Sequence, residues 1–371
     1  MRTRPQRLER LPEQYFGVLL ARVAAAGDVV DLGRGNPETG PPQHVIDALS
    51  AGANGPHAHG YAPFRGIPGM REATAERYRT VYGVELDPES EVAVVPGTKT
   101  AIVELSLVVG ERGSTIVLPD PWYPDYPSGP ALAGAALETV PLDPAKDWQP
   151  DFSRAPREDV AAVYLNYPCN PCAVVVRDGT FEGAIEYARE TGAAVVHDFA
   201  YGDLVFDGRE PRSFLATPGA KEVGVEMFSM SKSYGMAGWR IGFVVGNAEI
   251  VGRINLLNDH CRVGIFRPLQ EAAIAALTGP QESVAERTAT YQRRRDRVLN
   301  VVDAVCEGTF FVWFKPPDGL TIEQLLTEHR LALAPGEGFG PSGAGWARIS
   351  LAVSDEILQT GLERLSAAVD S

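Results

Sequence analysis

Short apolar runs alternate with longer stretches of helical spacing along the first three quarters of the chain. The runs fall at 92–95, 114–118, 136–140, 161–165, 193–197, 225–230 and 241–245, and several are rich in β-branched residues. A run such as Ala161-Ala162-Val163-Tyr164-Leu165 is apolar on both faces, as a strand covered by helices on each side must be. Between the runs, 98–109 and 181–191 carry the helical period. Strand, helix, strand in repeated succession requires right-handed crossovers and a mostly parallel sheet. The pattern predicts an α/β fold with seven strands, a three-layer α/β/α large domain.

The texture changes near residue 275. A charged helix is expected over 282–305, and its run Tyr291-Gln292-Arg293-Arg294-Arg295-Asp296-Arg297 reads as a solvated basic face. A strand at 309–314, a helix at 322–329 and a strand at 346–351 then suggest a smaller α+β domain. A further helix is expected at 15–26. The division is therefore an N-terminal arm, 1–35, packing on the small domain or on a partner copy; a large domain, 36–275; and a small domain, 276–371. There is no internal repeat and no low-complexity tract.

A length of 371 residues suits a large domain plus a smaller one, and 44% hydrophobic with 22% charged residues is ordinary for a globular protein. No stretch reaches the ~20 apolar residues of a membrane span. The start, Met1-Arg2-Thr3-Arg4-Pro5-Gln6-Arg7, lacks the apolar centre of a signal peptide, so a cytoplasmic protein is expected. A formal charge of −14 argues against nucleic acid and anionic membranes as partners. Cys169 and Cys172 have a Cys-x-x-Cys spacing, but no second close pair accompanies them and they flank Asn170-Pro171 rather than open a helix. No metal is expected. His57-Ala58-His59 lies in a Gly/Pro-rich loop and reads as plain loop.

Chemistry gathers where the predicted strands end. Lys232 lies in Ser229-Met230-Ser231-Lys232-Ser233-Tyr234-Gly235, with Arg240 eight residues on. Alone, a Ser-Lys-Ser loop is ordinarily surface. A lysine can, however, form a Schiff base with pyridoxal 5'-phosphate, while serines and an arginine supply donors to its phosphate. Asp198 closes the run 193–197 and Tyr201 follows three residues later; an aspartate there can keep a pyridine nitrogen protonated, and a tyrosine can stabilise a ring phenolate. Asn170, in Asn166-Tyr167-Pro168-Cys169-Asn170-Pro171, is a second donor to that oxygen. Gly97-Thr98-Lys99 opens a predicted helix and makes a phosphate seat. Asp120-Pro121-Trp122-Tyr123-Pro124 offers two aromatics to stack on a ring, of which Tyr123 is preferred.

These ordered elements resemble the class I/II aminotransferases, the aspartate aminotransferase superfamily of fold type I pyridoxal-phosphate enzymes. The resemblance covers essentially the whole chain, and the family's Ser-x-Ser-Lys-x-x-x-x-x-Gly-x-Arg-x-Gly motif is matched without a gap by Ser229 through Gly242. Stretches such as 276–281 and 308–313 look closest to the branch of LL-diaminopimelate aminotransferase-like enzymes. The resemblance implies Lys232 as the Schiff-base lysine and proton shuttle, Asp198 on the ring nitrogen, Tyr201 and Asn170 on the ring oxygen, and Tyr123 on the ring face. It places Gly97, Thr98, Lys99, Ser229, Ser231 and Arg240 around the phosphate, and Arg348, with Gly35 and Asn170 nearby, on the substrate α-carboxylate. A homodimer with shared active sites is also implied, in which Tyr61 reaches the neighbouring copy.

Two departures stand out. The family usually continues Asn-Pro with Thr-Gly, but Cys172-Ala173 follows Pro171 here, so the loop near the ring is expected to differ. Arg34 stands where relatives usually carry an aliphatic residue facing the substrate, and a cation there favours an anionic or carbonyl-bearing side chain. Arg262 and Arg267 fall in a region that in relatives approaches the partner's site, so one or more of the three is expected to read the substrate side chain; structural ion pairing is the competing role. The resulting expectation is an aminotransferase moving an amino group from an L-amino acid to a 2-oxo acid. The alternatives are elimination, decarboxylation or oxidation on the same cofactor, and, further off, a cofactor-binding regulator. A nicotinamide enzyme is disfavoured because no Gly-x-Gly-x-x-Gly follows the first strand.

Overall fold

The computed structural model describes residues 5–369; the expectation drawn from Met1-Arg2-Thr3-Arg4 lies outside the described residues. The described strands are β1 (Val30–Asp31), β2 (Val92–Val95), β3 (Thr115–Asp120), β4 (Ala136–Asp143), β5 (Gln149–Pro150), β6 (Val160–Asn166), β7 (Ala194–Asp198), β8 (Gly224–Ser229), β9 (Gly242–Gly246), β10 (Phe311–Phe314), β11 (Leu331–Ala332), β12 (Ala334–Pro335) and β13 (Ala347–Ser350). Eight of them form the main sheet in the order β2-β9-β8-β7-β6-β3-β4-β5. This is one strand more than expected, because β4 turns back into the two-residue edge strand β5. The pairs β3/β4, β3/β6, β6/β7 and β7/β8 are parallel, and β9 runs against both its neighbours.

Alternate residues of each strand feed two apolar layers. Val92, Val94, Val117, Val163, Leu165 and Val195 enter one core, while Ala93, Val95, Ile116, Leu118, Ala162 and Val196 enter the other. Burial on both faces is why the strands read as unbroken apolar runs. The helices Thr98–Val109 and Thr180–Thr191 lie where the spacing predicted them, the second stopping at Gly192 in the left-handed conformation (φ 77°), which costs glycine little. Among the described residues no helix is long and apolar enough to cross a membrane.

A separate core serves the C-terminal part, where β10, β13 and β12 form an antiparallel sheet with β13 central. The arm joins it through β1, which pairs with β11, and through the helix Tyr15–Ala26, whose Tyr15 hydroxyl donates to the Pro335 carbonyl at 2.7 Å. Two expectations fail here. The long helix is Glu282–Leu299, shorter than 282–305. Its basic run is not a solvated face: Arg294 and Arg295 are buried, Arg294 pairing with Glu38 and Asp355, and Arg295 with Asp207. Carboxylates distant in sequence are what allow those guanidinium groups inside.

Candidate active site

Because β3, β6, β7 and β8 run in parallel, their carboxyl ends share one edge, and register sets Asn166 of β6 beside Asp198 of β7. Ligand crevices form outside such strand ends. A cavity of about 320 Å³ opens there, lined by Gly35, Thr98, Lys99, Tyr123, Asn170, Asp198, Tyr201, Ser229, Ser231, Lys232, Arg240 and Arg348 among the expected residues. Sequence-distant residues thus converge on one crevice.

At one end the donors outnumber the acceptors. Gly97 has φ 83°, and a Cβ on it would come within 2.4 Å of the Arg240 guanidinium. The glycine therefore permits both the turn and the close approach of Arg240 to the start of the helix Thr98–Val109, whose first N–H groups lack intrahelical acceptors. Arg240 adopts φ 57°, unusual for a side-chain-bearing residue, and among the described residues its guanidinium donates to the Ala237 carbonyl alone. The Ser229 hydroxyl caps the Ser231 N–H at 3.2 Å. Lys99 differs from expectation in one respect, for its ammonium lies 2.9 Å from a carboxylate oxygen of Asp125. Its backbone N–H belongs to the first turn of the helix, where N–H groups lack intrahelical acceptors.

The reactive centre is partly shielded from water, Lys232 being half-buried in the cavity wall. Burial lowers the pKa of Lys232 to about 8, the charges of Arg348 and Arg240 push it the same way, and Asp198 opposes them. Its Nζ donates to the Gly35 carbonyl at 3.2 Å and stands 5.8 Å from the Tyr201 ring centre. An amine that is half neutral near pH 8 is a usable nucleophile and base. Burial raises the pKa of Asp198, while the Tyr126 hydroxyl, donating to Oδ2 at 2.8 Å, and the Ala200 N–H, donating to Oδ1 at 3.1 Å, favour its ionised form. Burial likewise pushes up the Tyr201 hydroxyl.

Arg348 occupies the other end. Alternation along β13 sends Ala347 and Ile349 into the small-domain core and Arg348 to the cavity. The guanidinium is 1% exposed, lies 3.7 Å from the Phe311 ring centre, and donates to Asn170 Oδ1 at 2.7 Å and to the Gly33 carbonyl at 3.3 Å. Among the described residues no carboxylate pairs with it, its Nε has no partner, and burial lowers its pKa to about 10. A buried cation held by neutral acceptors is a receptor for an anion. With the Asn170 oxygen committed to Arg348, the amide nitrogen is the end left to serve the cavity.

Other residues shape the site without having been expected. Tyr126 sits five residues beyond Pro121 in the same loop as Tyr123, and its signal was the second tyrosine of Tyr123-Pro124-Asp125-Tyr126. Asn166 donates to the Asp198 carbonyl and accepts from the Asn170 N–H, tying two strand ends together. Buried Arg77 pairs with Asp203 and donates to the Tyr234 hydroxyl at 2.9 Å, joining the loops that carry Tyr201 and Lys232. Phe16 lines the cavity from the arm, and nothing in its local sequence marks it.

The chain does not bring every expected residue there. Tyr61 is 88% exposed and Arg34 pairs with Asp31, its side chain 58% exposed, neither lining the cavity. Arg262 pairs with Glu104 and Arg267 with Glu271. Trp122, the second aromatic of its loop, lies against Gly340 instead. The departure at Cys172-Ala173 has a geometric counterpart: Ala173 is buried at φ 60°, a left-handed conformation that glycine adopts more easily. Cys169 and Cys172 are free and buried, and burial, with Cys169 beside it, pushes the Cys172 thiol up. Among the described residues no group of His, Cys, Asp or Glu side chains is arranged to hold a metal.

Comparison with known proteins gives a consistent result. Residues 27–365 match the family described as aminotransferase class I and II. The chain is 42% identical to the L-glutamine–4-(methylsulfanyl)-2-oxobutanoate aminotransferase of Bacillus subtilis, over 96% of this chain and 94% of that protein. It is 38% identical to the LL-diaminopimelate aminotransferase of Moorella thermoacetica over 97% of each. Among solved structures, substrate-bound BacF from Bacillus subtilis superposes with a TM-score of 0.94 at 35% identity, covering 100% of this chain and 98% of that one.

Proposed function

The chain belongs to the class I and II aminotransferases, and from that premise we propose that the cavity at the strand ends holds pyridoxal 5'-phosphate and there moves an amino group from an L-amino acid to a 2-oxo acid. The relatives do not favour elimination, decarboxylation or oxidation. The carrying observation is the half-buried Lys232, its pKa lowered to about 8, in one cavity with buried Arg348, which pairs with no carboxylate among the described residues. The residues fit the cofactor: Gly97 lets the Arg240 guanidinium approach the start of the helix Thr98–Val109, and the cavity walls are partly aromatic.

When bound, the cofactor supplies an aldehyde to take the amino group and a protonated ring that withdraws electrons from the α-carbon. Gly97, Thr98, Lys99, Ser229, Ser231 and Arg240 would hold its phosphate, and Tyr123, Tyr201 and Asn170 would hold its ring. Asp198 would keep the proton on the ring nitrogen, the Tyr126 hydrogen bond offsetting part of the burial that raises its pKa. Arg348 orients the substrate α-carboxylate with a bidentate fork that Phe311 and Asn170 keep in place. The Lys232 Nζ would take the proton from the substrate α-carbon and deliver it two bonds away, to the carbon that receives the amino group. Walls of aromatic side chains exclude water from that transfer.

The proposed organisation is the arm, 1–35, the large domain, 36–275, and the small domain, 276–371, in a cytoplasmic homodimer. Exposed Tyr61, Phe64, Val263 and Phe266 support the dimer, since their two segments touch at Gly264 and Pro63 and offer one apolar face. Tyr61 then serves the neighbouring copy's cofactor. The test is to incubate purified protein with cofactor, a panel of L-amino acids and a 2-oxo acid, following products by mass. A new amino acid appearing as the new 2-oxo acid forms is expected, with loss of about 10⁴-fold in Lys232→Ala; release of ammonia or carbon dioxide instead would refute transamination.

A further inference from the structure

Resting on the aminotransferase reading, we infer that His197, which does not line the cavity, is the positioning residue for Asn170 and through it for the Arg348 fork. Consecutive residues of β7 face opposite sides of the sheet. Asp198 meets Tyr126 and lines the cavity, whereas His197 is 0% exposed among the rings of Phe181, Phe199 and Phe214, whose centres are 5.0, 5.2 and 6.3 Å away. A second copy of the chain therefore adds nothing to its surroundings.

A polar ring in such a place needs a hydrogen-bond partner for each nitrogen. Nδ1 lies 2.7 Å from Oε2 of Glu226, its neighbour in register on β8. Glu226 is fully buried as well, and it has other donors: Oε1 accepts from the Tyr78 hydroxyl at 2.6 Å and the Ser213 hydroxyl at 2.9 Å, and Oε2 accepts from the Phe214 N–H at 2.7 Å. Nε2 faces the opposite way, toward the main chain of Tyr167, 3.1 Å from its carbonyl oxygen and 3.3 Å from its nitrogen. The Tyr167 side chain is fixed separately, its hydroxyl donating to the Trp148 carbonyl at 2.7 Å. Tyr167 opens the loop that leaves β6 and reaches Asn170 three residues later. From the other side of the sheet Asn166 holds the same loop, donating to the Asp198 carbonyl at 2.8 Å and accepting from the Asn170 N–H at 2.7 Å. Asn170 Oδ1 in turn accepts from Arg348 at 2.7 Å. Releasing the Tyr167 main chain frees Asn170, and with it the fork that orients the substrate carboxylate.

The two ring nitrogens are separable, because an asparagine amide stands about where Nδ1 does and a glutamine amide about where Nε2 does. His197→Asn keeps a donor for Glu226 and loses Tyr167. His197→Gln offers Tyr167 both a donor and an acceptor and leaves Glu226 one donor short. For each holoenzyme, kcat and KM for one amino donor, the melting temperature and the amide hydrogen exchange of residues 167–173 are measured, the exchange also without cofactor. His197→Asn should lower kcat/KM by about 10- to 100-fold, mostly through KM, with faster exchange over 167–173 and a near-native melting temperature. His197→Gln should melt earlier while keeping native exchange there and near-native kcat/KM. A His197→Asn variant with native KM and exchange, or a His197→Gln variant that loses as much activity as His197→Asn, would overturn the inference, and each variant decides alone if the other does not fold. Absence of amino transfer from every donor in the native protein would instead remove the aminotransferase reading, and exchange over 167–173 would still decide whether His197 holds the loop.

Discussion

Arg348 and Arg295 are both buried, yet their electrostatic surroundings are opposite. Arg295 makes a two-pronged pair with Asp207 at 2.6 and 2.9 Å, and that hydrogen bonding raises its pKa. Arg348 has only the neutral oxygens of Asn170 and Gly33 and aromatic rings around it, and burial lowers its pKa to about 10. Since burying an unpaired charge is costly, the first arrangement stabilises a fold and the second stores an unmet demand for an anion. Arg262 and Arg267 are likewise paired with glutamates, whereas exposed Arg240 has no carboxylate partner among the described residues.

The comparison can be broken most decisively at Arg348. Arg348→Met should lower kcat/KM by about 10³-fold, the consequence of removing one partner of a buried charge pair with the substrate, while leaving the melting temperature unchanged or higher. A loss of fold without a selective loss of activity would show that Arg348 is structural after all. Arg295→Met should do the reverse, destabilising the protein by about 1–3 kcal/mol, reduced because Asp207 is half exposed and can rehydrate. Its activity per folded molecule should be unaltered. The smallest effect is a titration. In cofactor-free protein, labelling of Lys232 by an aldehyde and borohydride, read by mass spectrometry, should rise through a midpoint of about 8, because the reactive neutral amine is depleted below that pH. Surface lysines should titrate near ~10.4, and a coincident midpoint for Lys232 would contradict the shielding of the site.

Much of the chemistry was legible along the chain because it is local. Ser229 ends β8 and Ser231, Lys232 and Arg240 follow in the segment before β9, while Asp198 ends β7 and Tyr201 follows it, so motif spacing carried them. Gly97 was readable because a glycine at a strand-to-helix junction has few other purposes, and its φ of 83° shows the reason for its presence. The arginine run of the helix Glu282–Leu299 was misread because its partners Glu38, Asp207 and Asp355 are distant in sequence. Phe16 was missed for the same reason. Its place in the cavity wall comes from Asp125 and Pro335, which grip the helix bearing it from two sides.

By itself the sequence determined the order of the elements, the doubly buried sheet and the residues at its strand ends, since periodicity and short-range spacing act within one segment of chain. Only the tertiary structure decided which charges are neutralised and which are left waiting. Pairing depends on the distance between side chains far apart in the chain, and that distance is what separates Arg295 against Asp207 from Arg348 against the neutral oxygens of Asn170 and Gly33.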